Sequence, residues 1–179
     1  MLKRIKAGIL AALGMILWPL SGSHASDVSI STSFAFESEY VFRGFQLADE
    51  SFQPSVEVSY EGFYLGTWVS APARDPGAQF LNEVDIYGGY GIEVSDTISL
   101  DVGLTYCWYP EEPATASGTK EFFLGVSHGI AFFPDPYLYY DFDLDTLTIE
   151  FSKGHSFALD GEDGSLTFDL GASLGFISP

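Results

Sequence analysis

Acidic side chains dominate the chemistry that this sequence offers, and many of them alternate with apolar residues along extended segments. Side chains two positions apart on a β-strand project from the same face. Carboxylates gathered on one face attract cations and repel anions, so we expect a lining that favours small cationic solutes. The candidate lining residues are Glu37, Glu39, Arg43, Glu57, Glu83, Asp85, Asp101, Glu121, Asp141, Asp143, Glu150 and Asp169.

Arg43 is the one basic residue in that set, and it lies four positions from Glu39 on the same face of an extended strand. Because lysine is scarce, we expect Arg43 to hold a carboxylate network together rather than to contact a solute. Two alternatives stay open for the acidic residues. They form the solvated surface of an acidic protein, or they line a small barrel that its own side chains fill.

Catalytic and metal chemistry have weaker support. The Ser-His neighbours, Ser127-His128 and His155-Ser156, point to opposite faces of a strand and make no ready nucleophile and base. The acidic run at 160–164 lacks the spacing of a calcium loop and predicts a turn. Asp141, Asp143 and Asp145 are a weak divalent-ion alternative. We expect no enzyme, no metal site and no cofactor.

The first 25 residues predict a cleaved export signal. Lys3, Arg4 and Lys6 precede an apolar stretch at 7–20, which is short for a membrane-spanning helix. In the following Ser23-His24-Ala25, small residues stand at the two positions that a signal peptidase reads, Ser23 and Ala25. We expect cleavage after Ala25, so that residues 26–179 form one domain in an oxidising compartment.

The balance of charges narrows the choice of partner. Removal of residues 1–25 leaves four basic residues against 25 acidic ones, a formal balance of −21. Nucleic acid is excluded as a partner because binding it needs a basic face. Cys107 is the only cysteine, so an intramolecular disulfide is impossible and stability must come from a core or a membrane.

Nine segments alternate in polarity and predict an all-β, antiparallel fold. The clearest is 97–109, where Ile98, Leu100 and Val102 alternate with polar or small residues. Proline and glycine mark the longer loops. The predicted strands are 28–42, 52–60, 63–70, 80–90, 97–109, 120–128, 136–144, 147–154 and 165–176.

Strand length and composition favour an up-and-down transmembrane β-barrel over a secreted soluble sandwich. Several segments alternate for 11 to 15 residues, whereas globular strands usually run about 5–6 residues. The apolar positions hold no carboxylate in mid-segment, and aromatic residues such as Tyr40 and Phe42 recur near segment ends, as in an interfacial girdle. Long and short connections alternate early in the chain, as they do in bacterial barrels.

Several motifs add a resemblance over the whole of residues 26–179. S-E-Y-V-F-R-G at 38–44, Pro54 and E-G-F-Y-L-G-T-W-V-S at 61–70 carry most of it, with Y-L-Y-Y-D-F-D at 137–143, F-S-K-G-H-S-F at 151–157 and L-G-A-S-L-G-F at 170–176. The chain resembles the TorF-type family of porin-like proteins, an uncharacterised family of bacterial outer-membrane barrels. The resemblance implies a solute-conducting barrel and brings no catalytic residues.

The sequence thus predicts an outer-membrane barrel of porin type, whose partners are lipid and small cationic solutes. An odd count of nine strands departs from the even rule for bacterial barrels, and proteins of the resembled family continue for several further strands. We therefore expect the domain at 26–179 to be incomplete at its C-terminus. A non-conducting structural or adhesive barrel and a secreted soluble binding protein remain alternatives, and the oligomeric state is open.

Overall fold

A computed structural model describes residues 28–74, 82–130, 133–158 and 167–178, and within these ranges the protein is all-β. The predicted leader at 1–25 and the acidic run at 160–164 lie outside the described residues. The strands are β1 (Ser29–Glu37), β2 (Tyr40–Phe42), β3 (Phe45–Ala48), β4 (Ser51–Tyr60), β5 (Phe63–Pro72), β6 (Glu83–Ser95), β7 (Ile98–Trp108), β8 (Gly118–His128), β9 (Asp135–Asp141), β10 (Thr146–Ala158) and β11 (Thr167–Ile177).

Nine of these strands form one antiparallel sheet in the order β1-β4-β5-β6-β7-β8-β9-β10-β11. From β4 to β11 each strand pairs with the next strand along the chain, and β1 pairs with β4 across the β2–β3 segment, so the predicted up-and-down antiparallel order is confirmed. The expected closure is not present, because β1 and β11 form the two edges of an open sheet among the described residues. Because nine strands alternate in direction across the sheet, β1 and β11 run the same way. A direct pairing of these two edge strands would therefore be parallel.

The first predicted strand, 28–42, was wrong in its length. β1 ends at Glu37, the chain bends at 38–39, and β2 pairs with β3 in a separate two-stranded sheet. Arg43 and Gly44 connect β2 to β3, and both have positive φ angles of 48° and 86°. Such angles at both central residues define the tight turn that matches the twist of a hairpin. β3 therefore lies between the first two predicted strands, where no strand was expected, and β2 takes the last three residues of the predicted strand 28–42.

Two other strands, β6 and β9, end a few residues from their predicted ends. β6 continues to Ser95, past the predicted end at 90, and turns into β7 through 96–97. β9 ends at Asp141 rather than at 144, because the next four residues form a turn. No helix in the described part of the chain is long and apolar enough to cross a membrane.

The two faces of the nine-stranded sheet differ sharply in chemistry and in burial. On one face, here called the apolar face, large side chains lie exposed: Phe34 is 70% exposed, Leu65 63% and Leu104 57%. On the opposite face, here called the acidic face, Glu83 is 4% exposed and Glu121 8%. The usual arrangement of a soluble sheet is thus inverted, since carboxylates are covered and hydrocarbon side chains are not.

Candidate functional site on the acidic face of the sheet

The strand register collects carboxylates from distant parts of the sequence on the acidic face. Glu83 and Asp85 of β6 lie beside Cys107 of β7, because Asp85 pairs directly with Cys107. Glu121 of β8 stands opposite Asp141 of β9. The same alternation puts Glu57, Asp101 and Glu150 on this face. Period-two alternation therefore predicted the facing of most candidate residues correctly.

Three of the predicted lining residues lie in bends or turns and not on strands of the nine-stranded sheet, although the side chain of Arg43 still reaches the acidic face. Glu39 is exposed in the bend after β1, Arg43 lies in the hairpin turn, and Asp143 lies in the turn after β9. Turn residues break the alternation on which the prediction rested. Glu37 ends β1 opposite Ser51. Asp169 holds a register position opposite Ser156 in β11.

The β2–β3 hairpin folds over the acidic face through Arg43. Arg43 donates two hydrogen bonds to Glu121, from Nη1 to Oε2 at 2.5 Å and from Nη2 to Oε1 at 2.8 Å. The guanidinium also lies over the ring of Tyr139, 4.2 Å from its centroid. The expectation that Arg43 joins a carboxylate network is confirmed, but its partner is Glu121 across the sheet and not the nearby Glu39. This two-pronged pairing clamps the hairpin turn onto β8 and β9.

Tyr40 anchors the other end of the hairpin. Its ring centroid lies 5.4 Å from that of Trp68, on β5, and its hydroxyl lies near the Glu83 carboxylate. Tyr40 was expected among lipid-facing aromatics, and that expectation was wrong. The bend at 38–39 reverses the parity of the chain, so the tyrosine turns toward the carboxylates.

Aromatic rings fill much of the acidic face by lying across glycines of the neighbouring strand. Tyr87 lies over Gly66 and Tyr137 over Gly125, so closely that a Cβ atom at either glycine would overlap the ring. Phe123 covers Gly103 in the same way. Glycine is required at these positions because only a bare backbone lets the ring lie flat.

Tyrosine hydroxyls satisfy the carboxylates between these rings. Asp101 accepts one hydrogen bond from Tyr64 at 2.7 Å and one from Tyr137 at 3.2 Å. Glu83 accepts one from Tyr109 at 3.1 Å. The sequence analysis missed these aromatic residues as parts of the site. The signal that could have found them is the alternation of tyrosine and glycine at acidic-face positions of adjacent strands, visible only once the register is known.

Glu83, Asp85 and Cys107 form a compact cluster near the hairpin. One carboxylate oxygen from each acid and the Cys107 sulfur all lie within 4.8 Å of one another. Cys107 stands directly opposite Asp85 in the strand register. In the described structure, the Oδ1 atom of Asp85 and the Oγ atom of Ser70 are buried without a hydrogen-bond partner. Mixed sulfur and oxygen ligands at such spacing have the chemistry of a metal-binding group.

The weaker divalent-ion candidate in the β9–β10 turn has protein partners for each of its carboxylates. Asp141 Oδ1 accepts the backbone N–H groups of Asp143 and Leu144, at 2.9 and 2.8 Å. Asp143 pairs with Lys120, and Asp145 accepts the Tyr140 hydroxyl at 2.6 Å. These bonds explain the three acids as the framework of a tight turn.

Comparison with known proteins gives one match that spans nearly the whole chain. A family model described as "Bacterial protein of unknown function (Gcw_chp)" matches residues 21–176. No curated protein and no solved structure matches the chain.

Proposed function

The chain belongs to the Gcw_chp family of bacterial proteins of unknown function, and from its geometry we propose that it is an outer-membrane β-barrel of porin type that admits small cationic solutes. The proposal includes export through the predicted leader. It also includes completion of the barrel by further pairing at the β1 and β11 edges, since an unpaired strand edge is costly in lipid.

The exposed apolar face is the observation that carries the proposal. Large hydrocarbon side chains run along consecutive strands of this face from β1 to β11, including Phe34, Leu65, Leu104, Leu124 and Leu174. Burying such a side chain is worth about 1.5–3 kcal/mol, so a continuous exposed band is unstable in water. A bilayer supplies the missing apolar partner, and apolar faces of this extent mark membrane or protein contact.

The acidic face supports cations as the solute class. Carboxylates on the same side of one sheet come from six strands, β4, β6, β7, β8, β9 and β10. Arg43, a base whose side chain reaches them, is neutralised by Glu121. The field over such a surface favours cations at short range and excludes anions. The resemblance to the TorF-type porin-like family supports a solute-conducting barrel and does not indicate the class of solute.

A non-conducting barrel is the second candidate, and the packing of the acidic face favours it. Rings such as Tyr87, Phe123 and Tyr137 cover the sheet, and the hairpin adds Tyr40 and Arg43 above them. In a narrow barrel these side chains would leave little room for a water-filled path. A soluble sandwich fits less well, because the described strands form one large sheet and a small hairpin rather than two packed sheets.

The test is to refold residues 26–179 in detergent, confirm a folded barrel by heat-dependent mobility on a gel, and record current across a planar bilayer in a KCl gradient. Discrete steps with a cation-selective reversal potential support the pore. A folded, inserted chain without current rejects conduction and leaves the filled barrel. A chain that stays folded and soluble without detergent rejects both membrane proposals.

Asp101→Asn is a useful variant in this assay, because it removes one acidic-face charge in mid-strand and keeps the shape of the side chain. Its amide oxygen can still accept one of the two tyrosine hydrogen bonds, and its amide nitrogen can donate to the other hydroxyl. Its matched control is Asp143→Asn, which removes a charge from an exposed turn. If carboxylates of the acidic face set selectivity, the first variant lowers the cation preference more than the second.

A further inference from the structure

We propose that Glu83, Asp85 and Cys107 form a binding site for a divalent transition metal of borderline softness, of which Zn²⁺ is the best match. The three residues come from two adjacent strands whose register is fixed by the direct pairing of Asp85 with Cys107. Glu83 lies two positions before Asp85 and therefore on the same face of β6. The site lies beyond the proposed transport function and does not depend on it.

The spacing of the ligand atoms suits a four-coordinate metal after a small adjustment. Two carboxylate oxygens and the Cys107 sulfur lie within 4.8 Å of one another. Zinc bonds of about 2.0–2.3 Å hold tetrahedral ligand atoms roughly 3.3–3.8 Å apart. The ligand atoms thus need to approach one another by roughly an ångström, a distance on the scale of a side-chain adjustment.

Two buried, unpartnered oxygens independently indicate that something is coordinated here. Ser70 is 2% exposed, and its Oγ has no hydrogen-bond partner among the described residues. Ser70 stands directly opposite Glu83 in the β5–β6 pairing, so both side chains project from the same face. Asp85 Oδ1 is likewise buried and unpartnered. Buried polar atoms are nearly always satisfied in native proteins, and a metal with its bound water would satisfy both.

Charge balance favours a cation at the same point. Glu83 and Asp85 carry carboxylates that approach each other within the cluster, and two such groups repel unless a proton or a cation lies between them. The nearby base, Arg43, is already committed to Glu121 through both of its terminal nitrogens. A divalent ion would neutralise the pair and would be further stabilised by the Cys107 thiolate.

The ligand types select the class of metal. A thiolate favours Zn²⁺ and softer ions, whereas Ca²⁺ and Mg²⁺ prefer sites made of oxygen alone. Glu83 also accepts a hydrogen bond from the hydroxyl of Tyr109 at 3.1 Å. Outer contacts of this kind orient a ligating carboxylate and strengthen metal binding. The sequence analysis expected no metal site, because Cys107 and Asp85 become neighbours only through the β6–β7 register.

The experiment uses the chain refolded in detergent, with folding checked by gel mobility and circular dichroism. Zn²⁺ affinity and stoichiometry are measured by competition with a chelating dye, and Co²⁺ is added separately as a spectroscopic probe. We expect one Zn²⁺ per chain and a near-ultraviolet absorption band from charge transfer between the Cys107 thiolate and Co²⁺. Asp85→Asn should weaken Zn²⁺ binding by more than the roughly 10–100-fold that loss of an outer contact costs, and Cys107→Ser should abolish the band.

Asp101→Asn is the matched control, because Asp101 is an acidic-face carboxylate on β7 outside the cluster. We expect this variant to bind Zn²⁺ with the same affinity as the unchanged chain. Absence of one-to-one Zn²⁺ binding overturns the site, and so does an Asp85→Asn variant that binds as well as the unchanged chain. If Asp85→Asn fails to fold, Glu83→Gln provides the same comparison. This test is independent of the transport proposal. A chain that binds Zn²⁺ but conducts no current supports the metal site and rejects transport. A chain that conducts current but does not bind Zn²⁺ supports transport and rejects the metal site.

Discussion

Replacing Glu121 with Gln should release the β2–β3 hairpin from the acidic face. The change keeps the shape of the side chain but removes the negative partner of Arg43. Both side chains are largely covered, with 13% of Arg43 and 11% of Glu121 exposed. Removing one partner of a buried pair costs about 3–5 kcal/mol, because the remaining charge is left uncompensated. The hairpin can relieve that cost by lifting its turn into solvent.

The lost free energy of docking converts into an increase in the fraction of chains whose β2–β3 hairpin is undocked. If the docked hairpin loses about 3 kcal/mol, its open fraction rises by roughly 100-fold. Trypsin cleavage after Arg43 follows that fraction when opening and closing are fast. The assay is a digestion time course read by mass spectrometry, with cleavage after Arg74, whose side chain is 76% exposed, as the internal reference.

Asp143→Asn provides the matched control, because it breaks an ion pair with Lys120 whose partners are 63% and 39% exposed. Exposed pairs are worth about 0–1 kcal/mol, so cleavage after Arg43 should stay as in the unchanged chain. In Arg43→Lys, cleavage at position 43 should be faster than in Asp143→Asn and slower than in Glu121→Gln. Lysine keeps the charge and the trypsin site but loses the two-pronged geometry. If Glu121→Gln leaves cleavage at Arg43 within about twofold of the unchanged chain, the pair does not hold the hairpin and the reasoning fails.

Three further predictions test the two faces of the sheet. Leu104→Arg, on the exposed apolar face, should cost about 2–4 kcal/mol in a bilayer and reduce the yield of heat-modifiable protein in vesicles, whereas Leu104→Ala should not; equal yields would contradict the lipid contact. Gly125→Ala forces a methyl group into the overlying tyrosine ring and should cost about 1–3 kcal/mol in denaturant unfolding, while Gly154→Ala, whose nearest neighbour is an oxygen 3.7 Å away, should be near neutral. Tyr64→Phe removes a 2.7 Å hydrogen bond to Asp101 and should lower the free energy of unfolding by about 1.5–3 kcal/mol; no change in that measurement would mean that water replaces the hydroxyl.

Alternation along the strands made much of the fold predictable. Segments such as 97–109 and 52–60 match β7 and β4 closely, because a strict period of two in polarity admits no other regular structure. Alternation in polarity also explains why the strand predicted at 28–42 was too long. Its polarity continues to alternate through the bend at 38–39, although the chain leaves the sheet there and folds back as a hairpin.

The sequence predicted on which face of the sheet most candidate residues lie, but not which residues they contact. The positions of Glu83, Asp85 and Glu121 on one face follow from the sequence, but their partners depend on register, which side-chain alternation alone leaves undetermined. The Arg43–Glu121 pair joins residues 78 positions apart. No local spacing rule could have indicated it, and the nearer Glu39 was the natural but incorrect partner.

The order of strands in the sheet also bears on how the chain assembles. Along β4 to β11 each pairing joins strands that are consecutive in sequence, and only the pairing of β1 with β4 spans an inserted hairpin. Loop-closure entropy grows with the length of chain enclosed, so every step of this route closes a short loop. Assembly can therefore proceed as a zipper, with each finished hairpin presenting the template for the next strand. The β2–β3 hairpin would be enclosed early, when β1 joins β4, and its arginine would find Glu121 only after β8 has been added.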